Sequence, residues 1–142
     1  MDAVRAIASL GGIGHLRPAP GTWGSAVVLP LGFLPGWVAL LAALVFTGLG
    51  LWALARLPET TADPGWIVVD EAAGQSLAVA AASGWGGILL AFALFRLFDI
   101  AKPGPVGWAD RQKGAFGVMA DDLIAGAMAG AAVLIFAGMG VR

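Results

Sequence analysis

Long apolar runs, which charged residues interrupt only near their ends, constrain this chain more than any other feature of its sequence. A membrane-spanning helix needs about 20 predominantly apolar residues, and two of the five runs approach that length. The runs lie at 23–34, 37–55, 72–82, 88–98 and 123–141. Charged residues make up 12% of the chain, about half of what a soluble domain carries. We therefore predict a single domain over 1–142 that folds as an all-α, small polytopic membrane helical bundle.

The runs differ in length, so the bundle is predicted to contain short or partial spans. As a helix, the 72–82 run would reach only about 16 Å. Thr22 is a good N-cap for the 23–34 run, which is also short. In the last run, Gly126 and Gly130 have the small-xxx-small spacing that lets two helices pack closely. These glycines predict a close contact between the last helix and a neighbour.

The charges predict an orientation in the membrane. If the five runs alternate in direction, every charged residue except Arg142 lies on one side, and that side holds seven of the eight Lys and Arg residues. The positive-inside rule makes this side cytoplasmic. The chain is therefore predicted to be a multi-pass protein of a cytoplasmic membrane. Its net charge of −1 argues against nucleic acid as a partner, which would require a basic face.

Acidic residues at several run ends predict a polar site at the cytoplasmic helix ends. Eight of the 17 charged residues lie at 95–122. With alternating runs, five carboxylates from three segment ends face the same compartment: Asp70, Glu71, Asp99, Asp121 and Asp122. If they converged, they would repel one another strongly without compensation. A hard divalent cation such as Mg²⁺ provides that compensation, since it prefers oxygen ligands and usually binds one or two carboxylates together with substrate phosphate.

Basic residues near the same ends suit a phosphate group. Arg96 and Lys102 lie in the charged stretch, and Arg17 precedes the first run. Arginine offers a planar fork to phosphoryl oxygens, whereas lysine offers a point charge. The acidic residues, the cation that they would bind and the basic residues together predict a metal-assisted reaction on a phosphate ester at the membrane surface.

Simpler interpretations of these residues remain open at this point. Asp70, Asp121 and Asp122 each precede an apolar run, where an Asp caps free N–H groups and complements the helix dipole. One cap would suffice, so capping explains the doubled acids less well. Arg96 and Asp99 are three residues apart and could simply form an ion pair on a helix.

Further alternatives concern the loops and the whole chain. Lys102, Arg111 and Lys113 could act only as cytoplasmic anchors, and His15, the single histidine, is more often incidental in a Gly/Pro loop. As a whole, the chain could instead be a small ion-binding or transporting membrane protein. That function requires ionisable groups near the bilayer midplane, whereas the charged residues of this chain lie near the ends of the apolar runs.

Absent motifs narrow the possible mechanisms of a phosphatase. The chain has no cysteine and one histidine. This excludes a cysteine nucleophile and the two-histidine mechanism of the common membrane lipid phosphatases. It has no Asp-x-Asp, no GxSxG and no P-loop lysine motif. A mechanism based on carboxylates and a metal ion is what remains.

Four sequence blocks resemble one protein family. The blocks are PAPGTWGS at 18–25, VVDEAAG at 68–74, FRLFDIAKPGPV at 95–106 and GVMADDLIAG at 117–126. In order and spacing they resemble the bacterial phosphatidylglycerophosphatase A family. The resemblance implies an inner-membrane, Mg²⁺-dependent phosphatase that converts phosphatidylglycerophosphate to phosphatidylglycerol, with its active site facing the cytoplasm. The implied partners are therefore the lipid bilayer and a membrane phospholipid with a phosphomonoester head group.

The resemblance also implies positions for the family's functional residues. Its acidic pair falls on Asp70 and Glu71, and its Asp-Asp pair on Asp121 and Asp122. We expect Glu71, with Asp121 or Asp122, to ligate Mg²⁺, and Asp70 to serve as a further ligand or as a water-activating base. All four are predicted catalytic residues, and Asp99 is a fifth with the same choice of roles as Asp70.

Substrate contacts are predicted at four residues. The family's Arg-x-x-Asp falls on Arg96 and Asp99, and its Lys-Pro begins at Lys102. Arg96, Lys102 and Arg17 are expected to hold phosphate. Thr22, in the Pro-Gly-Thr block, is expected to offer its hydroxyl or nearby backbone N–H groups to an anion. The Gly-rich loop before Asp110 departs from the family pattern and leaves the roles of Asp110 and Arg111 open.

Overall fold

The computed structural model describes residues 1–140, and over that range all regular secondary structure is helical. Residues 1–140 form seven α-helices and three 3-10 helices, and the 3-10 helices lie between the first four α-helices. The 3-10 helices are Ile13–His15, Leu29–Phe33 and Pro58–Ala62. The α-helices are α1 (Ala3–Ala8), α2 (Pro20–Ala26), α3 (Gly36–Leu54), α4 (Val69–Val79), α5 (Gly84–Ala101), α6 (Pro105–Asp110) and α7 (Gly114–Gly138). The predicted all-α fold class is confirmed.

Three of these helices are long and apolar enough to cross a membrane. They are α3, α5 and α7, with mean hydropathies of 2.1, 1.5 and 1.8. The predicted 37–55 run agrees with α3 to within a residue at each end. Helix α5 begins four residues before the predicted 88–98 run, and α7 begins nine residues before the 123–141 run. The expected end of the last run at 141 and the placement of Arg142 lie outside the described residues.

The 23–34 run, predicted to be a short or partial span with Thr22 as its N-cap, is divided between two short helices. Helix α2 begins at Pro20 and ends at Ala26, and a 3-10 helix follows at Leu29–Phe33. Proline at 30 has no N–H to continue an α-helical ladder, so the run divides into two short helices. Thr22 is consequently inside α2 rather than its N-cap, which is Ala19.

Helix α4 is the centre of the bundle although it has only 11 residues. Nine of them are buried, because α2, α3, α5 and α7 all pack around it. Val69, at its start, lies beside Gly50 of α3, and the carbonyl of Ala80, just after its end, lies beside Gly36. Helix α4 therefore runs antiparallel to α3 along most of that helix, despite its short length.

Glycines allow α4 and α7 to approach each other closely. A Cβ built on Gly126 would collide with the backbone of Gly74, and one built on Gly74 would collide with the carbonyl of Asp122. Gly130 faces the backbone of Leu77 and Ala78, one turn further along. The predicted close contact of Gly126 and Gly130 with a neighbouring helix is confirmed, and the neighbour is α4. The contact brings the Asp122 backbone against α4 near its acidic first turn.

The outer surface of the long helices is apolar. Large side chains on α3, α5 and α7 are more than one-third exposed, among them Leu40, Leu44, Leu89, Ile100, Leu134 and Ile135. Soluble proteins rarely expose so large a contiguous apolar surface, whereas lipid tails solvate it without cost. Trp37 and Trp85 are 66% and 68% exposed at the starts of α3 and α5. We predict that both tryptophans anchor their helices at the bilayer interface, where Trp is enriched.

Candidate active site

Five acidic side chains from three helices meet at one end of the bundle. Asp70 and Glu71 occupy the first turn of α4, Asp99 lies near the end of α5, and Asp121 and Asp122 lie in the third turn of α7. Oxygen atoms of Asp70, Glu71 and Asp122 lie within 4.8 Å of one another, and so do those of Asp99, Asp121 and Asp122. The structure thus brings together all five residues that the sequence analysis proposed as catalytic.

Most of these carboxylates are buried and incompletely satisfied. Asp70, Asp121 and Asp122 are 6%, 4% and 1% exposed. Four buried oxygens have no hydrogen-bond partner within residues 1–140: Asp70 Oδ1, Glu71 Oε2, Asp121 Oδ1 and Asp122 Oδ2. Buried polar atoms are nearly always paired with protein or water. The orphaned oxygens therefore point to a ligand that the protein atoms do not supply.

Helix capping does not account for the acidic pairs. Asp121 and Asp122 lie inside α7, whose N-cap is Lys113. The N-cap of α4 is Val68, and no side chain makes a capping hydrogen bond there. The capping interpretation was wrong for Asp121 and Asp122, and Asp70 and Glu71 occupy the first turn without capping it.

Burial changes the acidity of the α4 pair, which lies outside the three candidate spans. Burial raises the pKa of Asp70 well above its ordinary value, and the neighbouring charges of Glu71 and Asp122 raise it further. Burial also raises the pKa of Glu71 to about 7, although a hydrogen bond with Asp70 and the charge of Arg96 oppose the shift. The site disfavours negative charge while it contains no cation.

Two basic side chains pair with the acids of α5 and α7. Arg96 Nη1 donates to Asp99 Oδ2 at 2.5 Å, so the ion pair considered from sequence is present. Lys102 Nζ donates to Asp121 Oδ2 at 2.9 Å and lies 3.4 Å from Asp110 Oδ1 and 3.8 Å from Asp99 Oδ1. Arg96 and Lys102, two of the three residues expected to hold phosphate, therefore adjoin the acidic cluster, where they also hold carboxylates in place.

The start of α2 closes the site on another side. A Cβ built on Gly21 would lie 2.7 Å from Glu71 Oε1 and 3.2 Å from Arg96 Nη1. A larger residue at this position would therefore force these two side chains to shift. Thr22 follows directly and is partly buried. Arg17, in contrast, is exposed and lines a separate cleft of about 290 Å³, so the structure does not place it among the carboxylates.

Several polar residues near the site were not singled out from sequence. Asp63 borders a cleft of about 190 Å³ that also contains Asp110 and Lys113, and burial raises the pKa of Asp63. Gln75 and Ser76 are fully buried on α4, and their side chains have no hydrogen-bond partner in the described part of the chain. Gln75 lies one turn after Glu71. A glutamine inside an Ala-rich run was the available signal.

The donor set suits a hard divalent cation. All candidate ligand atoms are carboxylate oxygens, four of which are buried without a partner. Mg²⁺ takes such ligands and completes its octahedral coordination with water or phosphate oxygens. Glu71, Asp70, Asp121 and Asp122, the predicted metal ligands, are all among the residues that could hold it.

The fold and the site together define a helical membrane protein with a buried carboxylate centre at one end of its bundle. Comparison with known families identifies it further: the phosphatidylglycerophosphatase A family profile matches residues 6–137. The chain belongs to this family, as its four sequence blocks predicted. Membership makes it an enzyme of the phosphoric monoester hydrolase class.

Individual relatives agree with this assignment. The chain is 40% identical to a phosphatidylglycerophosphatase A of Haemophilus influenzae, over 89% of this chain and 82% of the relative. It is 32% identical to the phosphatidylglycerophosphatase A of Escherichia coli, over 84% of this chain and 74% of the relative. It is also 43% identical to a putative phosphatidylinositol-3-phosphatase of Bacteroides thetaiotaomicron, over 81% of both chains. No solved structure matches the chain significantly.

Proposed function

We propose that this protein hydrolyses the terminal phosphomonoester of phosphatidylglycerophosphate to phosphatidylglycerol and phosphate, with Mg²⁺ as its cofactor. The observation that carries the proposal is the set of buried, unpartnered carboxylate oxygens in a chain of the phosphatidylglycerophosphatase A family. Two relatives bear that enzyme's name. The substrate comes from their names, and the cation comes from the chemistry of the donor set.

The proposed reaction assigns separate tasks to the residues of the site. Glu71 and Asp122 would hold Mg²⁺, with Asp121 beside Asp122 as a further candidate ligand, and the ion would act as a Lewis acid on the phosphoryl oxygens when bound. The carboxylate of Asp70 or Asp99 accepts the proton of the attacking water through an oxygen that binds no metal. The water oxygen bonds to phosphorus, the bond between phosphorus and the glycerol oxygen breaks, and the same carboxyl group returns the proton to that oxygen, which leaves as an alcohol.

In the proposed reaction, Arg96 and Lys102 orient both the acids and the phosphate. The Nε of Arg96 is buried and has no hydrogen-bond partner in the described structure. The side chain of Lys102 is 31% exposed, so it remains accessible to a head group. Ion pairs with Asp99 and Asp121 restrict both basic side chains before substrate arrives, which lowers the cost of ordering them during the reaction.

The position of the site suits a lipid substrate. Asp99 lies three residues before the C-cap of α5, and Asp70 is the second residue of α4. A head group at the membrane surface could therefore reach the acids while its acyl chains stay in the bilayer. We assign this end of the bundle to the cytoplasmic face of the bacterial inner membrane, because seven of eight basic residues are expected on that side.

Phosphate release by the purified full-length protein in detergent micelles tests the proposal. Phosphatidylglycerophosphate should be hydrolysed with Mg²⁺ and not with EDTA, and phosphatidylinositol 3-phosphate should be hydrolysed much more slowly. Faster phosphate release from the inositol lipid would instead indicate the activity that the name of the Bacteroides relative describes. No release from either lipid, by protein that remains folded, would contradict the proposed function.

Residue variants complete the test. Glu71→Gln should abolish Mg²⁺-dependent release, because the amide cannot replace an anionic ligand. Asp2→Asn is a matched control, since Asp2 is exposed, caps α1 and is distant in sequence from every acidic residue of the site. Asparagine also caps helices well, so this variant should keep the activity of the unmodified enzyme.

A further inference from the structure

The carboxylates of the site form two groups rather than one, and Asp122 belongs to both. The first group consists of Asp70, Glu71 and Asp122, and the second of Asp99, Asp121 and Asp122; each offers oxygens within 4.8 Å of one another. Opposite ligands of an octahedral Mg²⁺ ion lie about 4.2 Å apart, since each Mg–O distance is about 2.1 Å. Each group therefore fits around its own ion.

Both groups contain buried oxygens that await a ligand. In the first, these are Asp70 Oδ1 and Glu71 Oε2, and in the second, Asp121 Oδ1; the shared Asp122 adds its Oδ2, and none of the four has a hydrogen-bond partner among residues 1–140. Asp122 is 1% exposed. Leaving such atoms unpaired is costly, so a single ion in either group would leave the other group unsatisfied.

The surrounding charges differ between the groups. Five carboxylates face two basic side chains, Arg96 and Lys102, an excess of three negative charges that one divalent ion does not cancel. Both basic residues pair with the second group. Within the described chain, Asp70 and Glu71 make no ion pair at all. The first group should therefore bind a cation tightly, whereas Lys102 competes for Asp121 in the second.

We infer that the enzyme takes two divalent cations bridged by Asp122: a tight one at Asp70 and Glu71, and a weaker one at Asp99 and Asp121. The inference rests on the proposed function, which requires a divalent cation. Two ions about 3.5–4 Å apart would clamp both the attacking and the leaving oxygen of an in-line displacement. The second ion would displace the Lys102 ammonium from Asp121 and free it for the substrate phosphate.

Mn²⁺ titration followed by electron paramagnetic resonance tests this inference on the full-length protein in detergent. We expect two Mn²⁺ ions per chain with unequal affinities, and a spin-coupled spectrum when both are bound. Asp121→Asn should lose the weaker ion and the coupling but retain the tighter ion. Lys102→Met should tighten the weaker ion by about tenfold, because it removes the competing ammonium.

Three results would overturn the inference in folded protein. They are saturation at one Mn²⁺ per chain, an uncoupled spectrum with two ions, and an unchanged stoichiometry in Asp121→Asn. Asp2→Asn should titrate like the unmodified protein. Phosphate release measured on the same preparation separates this failure from failure of the proposed function. One ion with full activity refutes only the two-ion site, whereas two coupled ions without phosphatase activity refute only the proposed reaction.

Discussion

The contact between Gly74 and the Asp122 backbone determines where the two acidic helices meet, and Gly74→Ala perturbs it directly. The added Cβ would collide with the Asp122 carbonyl and lie 2.6 Å from Phe95 Cε2. Helices α4 and α7 would have to separate locally by on the order of 1 Å, and overpacking of this kind costs about 1–3 kcal/mol. A misplacement of about 1 Å in an active site can reduce the rate by about 100-fold.

The assay combines thermal unfolding in detergent with Mg²⁺-dependent phosphate release. Gly74→Ala should lower the unfolding temperature and reduce release by roughly 100-fold. Gly48→Ala is the matched control: Gly48 also lies within a helix, and its Cβ would meet nothing within 4 Å. Alanine there gains up to about 1 kcal/mol of helix propensity and should leave activity intact. If the two variants behave alike, the reasoning about the α4–α7 contact is refuted.

Other perturbations give distinct expected outcomes. In Gly21→Ala, the added Cβ would lie 2.7 Å from Glu71 Oε1 and should displace that carboxylate. Phosphate release should therefore fall more than tenfold, with little change in the unfolding temperature. A normal rate would contradict the placement of α2. Arg96→Lys keeps the charge but loses the planar fork, so kcat should fall while the protein stays folded, and unchanged kinetics would remove Arg96 from the site. Without Mg²⁺, stability should depend on pH through Glu71. Its pKa is raised from 4.5 to about 7 on folding, so its contribution to stability is present below pH 4.5 and is lost as the pH rises through 7. The unfolding temperature in EDTA should therefore fall across this window, added Mg²⁺ should offset the fall, and a rise with pH would contradict the burial of Glu71.

Hydropathy predicted the long helices well, because each long helix is apolar over many turns, both where its side chains are buried and where they are exposed. It failed where charges lie inside a helix. Asp121 and Asp122 interrupt the apolar pattern, so the predicted last run begins after them, at 123. Helix α7 in fact begins at Gly114 and continues through both acids, because the neighbouring helices provide a polar site for them.

The composition of the site was partly visible in the sequence. Charges confined to run ends made it possible to predict that acids from three segments would converge, since alternating runs place those ends on one side. No local feature of the sequence indicated that Arg17 would lie apart from the carboxylates, or that the Lys102 side chain would contact both Asp110 and Asp121. Those contacts depend on how α6 packs against α7, which is a tertiary property.

Stabilisation by Mg²⁺ in Asp122→Asn, compared with the unmodified enzyme, tests most directly whether the carboxylate cluster is a cation centre. The isosteric amide removes the one carboxylate shared by both groups and leaves the fold intact. We predict that Mg²⁺ raises the unfolding temperature of the unmodified enzyme but not that of the variant, and that the variant releases no phosphate from phosphatidylglycerophosphate. Equal stabilisation by Mg²⁺ and equal phosphate release in the two proteins would contradict the account.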